Sequence, residues 1–260
     1  MLWRSCEETP WARRWARYDA VVQSMQKREL AELDAWYLVS LPPLLRKREP
    51  EPHVTKKELQ QVMKWKLKKG KWRPQLMTFI TGLSEDEVEK ASRTAFRELK
   101  SGDLHAATDA LSVLKGVGPA TASAVLAAYD ESVPFMADEA LEAIANIIGP
   151  RKYTLQHFLK FTKELRAKAK WLNEQRAAKE NGQAGATEWW TAQRVQLCLY
   201  AEAHDKAVTA SDSNGKKKTA ASSKRKLNQS NCDAVPTSGK GVDELQTLRR
   251  NQRKRQRPAV

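Results

Sequence analysis

Sixteen residues, Leu111-Ser-Val-Leu114-Lys-Gly116-Val117-Gly118-Pro119-Ala120-Thr121-Ala122-Ser-Ala-Val125-Leu126, constrain the architecture more than any other part of the chain. Two apolar patterns of helical period meet at Gly116-Val117-Gly118, and Pro119 stands where a first helical residue needs no N–H. Leu111, Leu114, Val117, Ala122, Val125 and Leu126 are spaced to pack one helix on the other, with the small Ala122 at their closest approach. The glycines let the backbone curl sharply and leave N–H groups exposed at the start of the second helix. Such a helix start, with its positive dipole end, favours an anion such as a phosphate. A tight helical hairpin with no ligand would give the same spacing, so phosphate binding here is an expectation.

The remainder of the chain carries helix signals throughout and almost no strand signals. Trp11, Trp15, Tyr18, Val22 and Met25 recur at steps of three and four after Pro10 and predict one amphipathic helix. A second is predicted over Leu30–Leu41, closed by Pro42-Pro43, with an extended linker over 46–53. Thr55-Lys-Lys-Glu58 and Ser84-Glu-Asp-Glu87 read as capping boxes; Asp103 and Pro119 mark two further starts, and others fall near Asp138, Tyr153 and Thr187. Seven to nine helices with short joints predict an all-α protein. The predicted organisation is an N-terminal helical segment over 1–50, a helical domain over 51–205 and a basic tail over 206–260.

Charge is distributed unevenly. Of the net +15, about +10 falls in 206–260, where 14 Lys+Arg stand against 4 Asp+Glu and there is no Trp, Tyr or Phe. A segment so poor in apolar side chains cannot offset the cost of ordering, which predicts disorder. Its clusters Lys216-Lys217-Lys218, Lys224-Arg225-Lys226 and Arg249–Arg257 suit nuclear import or nucleic-acid contact. A second cluster, Lys56–Arg73, holds eight Lys+Arg and one acid, Glu58, with Trp65 and Trp72 among the cations. Lys66, Lys68, Lys69, Lys71 and Arg73 are expected to meet phosphates and the indoles to meet exposed bases; packing against a neighbouring helix is the competing role for the tryptophans.

Other chemistry is thin. Cys6, Cys198 and Cys232 are odd in number, far apart and in no CxxC pair, which argues against a disulfide framework, a four-cysteine zinc site or an iron–sulfur cluster. His53, His105, His157 and His204 lack HxxxH or HExxH spacing, so zinc is not expected. No apolar run approaches the ~18–20 residues of a membrane span, and the opening Met1-Leu-Trp-Arg does not suggest a secretory signal. A membrane partner is not expected.

With those residues in place, the Leu111–Leu126 stretch resembles the helix-hairpin-helix family, which grips DNA phosphates without reading bases. The resemblance implies DNA contacts through Gly116, Val117, Gly118, Ala120 and Thr121, and allows a potassium or sodium ion at the hairpin carbonyls. A closer resemblance is to the helix-hairpin-helix DNA glycosylase superfamily. There an aspartate some twenty residues on, near the next helix start, stabilises the sugar cation as the glycosidic bond breaks. Asp138, in Val133-Pro-Phe-Met-Ala-Asp138-Glu139-Ala140, stands at that spacing. The chain departs from the pattern twice. Ala120 replaces the lysine of the bifunctional enzymes, so no Schiff base can form at that position. The family's Val-Asp-x-His-Val-x-Arg run is replaced by Met136-Ala-Asp-Glu-Ala-Leu-Glu142, which leaves a helix cap as the competing role for Asp138. Over about Thr55–Asn146 the chain also resembles a nuclear protein family typified by Amun, through Met63-x-Trp65-Lys66-Leu67-x-x-Gly70-Lys71-x-Arg73-Pro74, the hairpin and Asp138-Glu139-Ala140.

Three functions are consistent with these readings. The first is a nuclear protein that binds double-stranded DNA without base preference and without strong catalysis, its tail serving import. The second is a monofunctional DNA N-glycosylase of base excision repair acting through Asp138. The third is an RNA-binding nucleolar protein. A carboxylate turned into an open pocket beside the hairpin would favour the second over the first.

Overall fold

A Thr or Ser whose hydroxyl accepts from the N–H three residues on, answered by a Glu reaching back, defines a helix start unambiguously, and the computed structural model contains two. Thr55 and Ser84 accept from the N–H of Glu58 and Glu87, each at 3.2 Å, and those glutamates accept from the cap N–H groups at 2.9 and 2.8 Å. Arg48 adds a two-pronged bond to Glu58 at 2.8 and 2.7 Å, tying the preceding linker to the same helix start.

The structure describes residues 1–179 and 189–205, which are helical and include no strand. After a 3-10 turn at Leu2–Arg4 come α1 (Glu8–Ala16), α2 (Tyr18–Ser24) and α3 (Leu30–Ala35), the last running through a π-helical stretch, Trp36–Ser40, into α4 (Leu41–Arg46). Then follow α5 (Lys56–Lys69), α6 (Pro74–Thr81), α7 (Glu85–Lys100), α8 (Leu104–Ser112), α9 (Pro119–Tyr129), α10 (Asp138–Ala143), α11 (Ala145–Ile148), α12 (Leu155–Lys179) and α13 (Ala192–His204). Among these described helices none is long and apolar enough to cross a membrane. The tail over 206–260, with its expected disorder and basic clusters, lies outside the described residues.

Two expectations are corrected. The helix expected over Trp11–Met25 breaks at Arg17 (φ −98°, ψ −3°), whose guanidinium turns to Asp205 at 3.1 Å. The helix expected to stop before Pro42-Pro43 continues through them. Each proline removes a donor and pushes on the carbonyl four residues back, and the π-helical widening at Trp36–Ser40 makes room.

The core forms around α9, where every residue from Thr121 to Ala128 is buried. A helix apolar on all sides needs neighbours on all sides; α4, α5, α7, α8 and α12 supply them. Residues 1–50 share this core with 51–205. Tyr37 donates to the Ala124 carbonyl on α9 at 2.6 Å and stacks on Trp65 with ring centroids 3.6 Å apart. Trp11 meets Trp190 edge-on at 6.3 Å. Beneath α5 lies a buried ionic cluster. Asp34 accepts from Lys69 Nζ, Trp65 Nε1 and Tyr18 Oη, each at 2.7 Å, and Lys69 also donates to Tyr18 Oη at 2.5 Å.

Candidate functional site

Three stretches far apart in the sequence line one cleft of about 210 Å³. The end of α5 and the link after it bring Lys66, Gly70, Lys71 and Arg73. The turn between α8 and α9 brings Gly116, Gly118, Ala120 and Thr121, and the start of α10 brings Asp138 and Glu139. Tyr153 and Tyr200 complete the wall.

The turn's two glycines have different roles. Gly116 has φ +88°, a conformation an L side chain adopts only with strain, and a Cβ there would come within 2.8 Å of Phe79 Cβ on α6. Gly118 has φ −103° and ψ −177°, ordinary extended backbone, and a Cβ there would meet nothing within 4 Å. Gly116 therefore serves the packing of the turn against α6, whereas Gly118 leaves space beside the start of α9. Not every N–H in the turn is free for a ligand. Val117 N–H donates to the Leu114 carbonyl at 3.0 Å, and Thr121 N–H to the Gly118 carbonyl at 2.8 Å; both side chains are buried. That removes Val117, which does not line the cleft, from the expected contacts, and leaves Thr121 at the cleft wall without a free N–H. The N–H groups of Gly118 and Ala120 donate to nothing among the described residues. The carbonyls of Gly116 and Val117 likewise accept nothing among them and are the turn's candidate oxygens for a monovalent cation.

The lysines of α5 separate by helix phase. Lys69 is 1% exposed, bound to Asp34 and Tyr18, with its amine 4.1 Å from the Tyr200 ring centroid. Lys69 borders the cleft, but its amine is committed to these buried partners and is not the solvent-facing phosphate contact expected. Lys64 and Lys68 lie 3.2 and 3.6 Å from Glu29, and Lys68 is not part of the cleft wall. Lys66 lines the cleft. Burial, and then the positive charge of Arg73, lower its amine to about 8, with Asp138 pulling in the opposite sense. Trp65 is fully buried and serves the core, contrary to a base-contacting role, whereas Trp72 is 54% exposed.

Asp138 is the first residue of α10; the cap position belongs to Ala137, which makes no side-chain bond there. The capping role is thus excluded. Its carboxylate is 36% exposed at the cleft, accepting from Tyr153 Oη at 2.7 Å and pairing with Arg151 at 3.2 Å. Tyr153 is pushed up to about 12 by burial and by this bond, so the phenol keeps its proton and remains a donor. Glu139 lies 2.9 Å from His204 Nε2; burial raises its carboxyl, but that hydrogen bond and the other attractions outweigh it and hold the group below the usual carboxylate range. Phe135 and Met136 are buried in the wall, their N–H groups anchored to Gln193 Oε1 at 2.8 Å and Ser123 Oγ at 3.0 Å, and they leave the Asp138 carboxylate open.

Arg151, Tyr153 and Tyr200 had no sequence signal beyond a cation and aromatics of ordinary spacing; only the fold brings them to Asp138 and Lys69. Among the described residues no three His, Cys, Asp or Glu side chains gather as a metal set. Compared with protein families, with curated proteins and with solved structures, the chain matches none.

Proposed function

We propose that this chain is a DNA-binding protein of the helix-hairpin-helix, DNA glycosylase-like type, holding duplex DNA by its phosphates at the α8–α9 turn. The observation that carries the reading is that Gly118 and Ala120, whose N–H groups have no partner among the described residues, line the same cleft as Lys66, Lys71 and Arg73. Neutral N–H donors at a helix start and cations lining the same cleft make a phosphate site of ordinary kind. Neither group reads a base edge, so binding is indifferent to sequence and sensitive to salt. The tail's basic clusters would direct the protein to the nucleus and add non-specific affinity. The test is duplex binding across a salt series: Lys71→Glu with Arg73→Glu should weaken all duplexes alike and flatten the log–log salt slope by about 0.9 for each phosphate no longer neutralised. A single strongly preferred sequence, or tighter binding to RNA, would overturn the reading.

One observation favours a catalytic second reading: Asp138 faces the cleft beside the turn and is held there by a neutral phenol and a guanidinium. A fixed carboxylate in that place would stabilise positive charge developing on a sugar as its base departs. In an excision assay on alkylated, oxidised and deaminated duplexes, Asp138→Asn should then lose base release by at least ~10²-fold while binding is kept.

A further inference from the structure

We propose that Lys168 is a site of N-methylation, and that the tryptophan cage around its amine fits the methylated form better than the unmodified one. The residues concerned lie outside the cleft, so the proposal is independent of the DNA-binding reading.

Three indoles converge on this one amine. Lys168 and Trp171 stand three apart on α12 and share a face, Trp3 comes from the 3-10 turn at Leu2–Arg4, and Trp11 comes from α1. Lys168 Nζ lies 4.6 Å from the ring centroid of Trp171, 5.0 Å from that of Trp3 and 5.8 Å from that of Trp11. All three distances fall within the ~6 Å over which a ring face attracts a cation. Trp3 meets Trp11 edge-on at 6.3 Å and 72°, which sets two walls of the cage at an angle. Trp11 is fully buried and has no room to turn aside.

What the cage lacks is an acceptor. A lysine ammonium carries three N–H donors. Other cations of α12 find oxygen: Arg166 donates to the Ser132 carbonyl at 2.8 Å and to its hydroxyl at 3.1 Å, and Lys170 lies 4.0 Å from Glu174. Lys168 is half-buried and meets no carboxylate or carbonyl among the described residues. Burial lowers its amine, and no neighbouring charge adds to or opposes that effect. Ring faces attract the charge but replace oxygen acceptors poorly. Methylation reverses the balance: it keeps the charge, removes donors that find no oxygen, and adds apolar surface for the rings to cover. Acetylation would remove the charge, and the attraction with it.

The co-reactant is a methyl sulfonium donor delivered by a lysine methyltransferase. The ammonium first gives up a proton, which desolvation favours. The Nζ lone pair then attacks the methyl carbon. The carbon–sulfur bond breaks, its electrons stay on sulfur, and a neutral thioether leaves. Each transfer restores one positive charge on nitrogen, and three transfers leave an ammonium with no N–H. The flexible four-carbon stem of Lys168 lets the amine swing outward to react and return between the rings.

Two measurements on the full-length protein test the proposal. In the first, protein isolated from the cells that make it is digested and the peptide bearing Lys168 is analysed by mass spectrometry. Methyl groups on Lys168 are expected, and an unmodified Lys168 overturns the proposal. In the second, wild type and Lys168→Arg are dimethylated at accessible amines with formaldehyde and dimethylamine borane, and each is melted before and after. Every other lysine is common to the two proteins, so the difference between their shifts isolates Lys168. Dimethylation should raise the melting temperature of the wild type by about 2–4 °C relative to Lys168→Arg. Equal shifts, or a larger loss in the wild type, mean that the cage does not favour methyl groups and overturn the proposal. Mapping on the wild-type protein needs no variant and decides the matter even if Lys168→Arg is poorly folded. Duplex binding, measured on the same proteins, tests the earlier reading separately.

Discussion

Adding one methyl group at each of two glycines of the α8–α9 turn, with Gly102 before α8 as a reference, separates folding from binding. At Gly116 two costs combine. The backbone at φ +88° imposes roughly 1–2 kcal/mol on an L side chain. The new Cβ would also lie 2.8 Å from Phe79 Cβ, and overpacking of that kind costs about 1–3 kcal/mol. Gly116→Ala should therefore lose about 2–5 kcal/mol, a large share of the ~5–15 kcal/mol that holds a domain together. Gly102 has φ +92°, and a methyl there would meet nothing within 4 Å, so Gly102→Ala reports the backbone cost alone, about 1–2 kcal/mol. Gly118→Ala carries neither cost and should be neutral, or up to about 1 kcal/mol more stable through a less flexible unfolded chain. Its methyl would nevertheless stand beside the two free N–H groups and reduce duplex affinity. Urea midpoints at constant slope give the three stabilities, and fluorescence anisotropy gives the affinities. If Gly116→Ala is no worse than Gly102→Ala, the Phe79 contact has been misjudged. If Gly118→Ala unfolds the protein, the separation of the two roles is wrong.

Four further outcomes are expected. Asp34→Ala should cost about 3–5 kcal/mol in urea unfolding because it leaves the Lys69 ammonium buried without a counterion, and adding Lys69→Met should recover much of that loss. At pH 8 Lys66 is about half neutral against roughly 0.4% of an ordinary lysine, so reductive methylation followed by mass spectrometry should label it on the order of 100-fold faster per accessible amine than an ordinary lysine. Its folded pKa lies below the unfolded value of about 10.4, so the unfolded chain binds more protons between about pH 8 and 10.4, and Lys66 makes stability rise with pH across that window. Removing 206–260 should leave the cooperative melting transition in place and abolish nuclear accumulation; loss of the transition would refute the assignment of folding to the residues before the tail.

What could be read from the sequence was local chemistry. Thr55-Lys-Lys-Glu58, Ser84-Glu-Asp-Glu87, Asp103 and Pro119 each begin a helix where expected, because a cap is decided by residues within one turn. The prolines at 42 and 43 misled for the complementary reason: their cost is set by whether the preceding turn can widen, which no single residue announces. The basic stretch Lys64-Trp65-Lys66-Leu67-Lys68-Lys69 looks uniform as a string. Trp65 and Lys69, four apart, share a helix face, but that face turns inward only because Asp34 and Tyr18, 35 and 51 residues from Lys69, wait there. The cleft itself was legible only as three unconnected motifs, since their meeting depends on how α5, α9 and α10 pack.

The buried Lys69–Asp34 cluster also determines where the chain can be cut. The segment that carries the sequence resemblance, about Thr55–Asn146, would be the natural fragment to express when testing the cleft in isolation. Such a fragment lacks Tyr18 and Asp34, and with them every polar partner that Lys69 holds. It also lacks Tyr37, the ring on which Trp65 stacks, and Tyr153, the donor to Asp138. An inactive or aggregated fragment would therefore report an ammonium stranded in apolar surroundings, not the capacity of the cleft. The smallest unit in which this chemistry can be judged begins before Tyr18 and extends through α13.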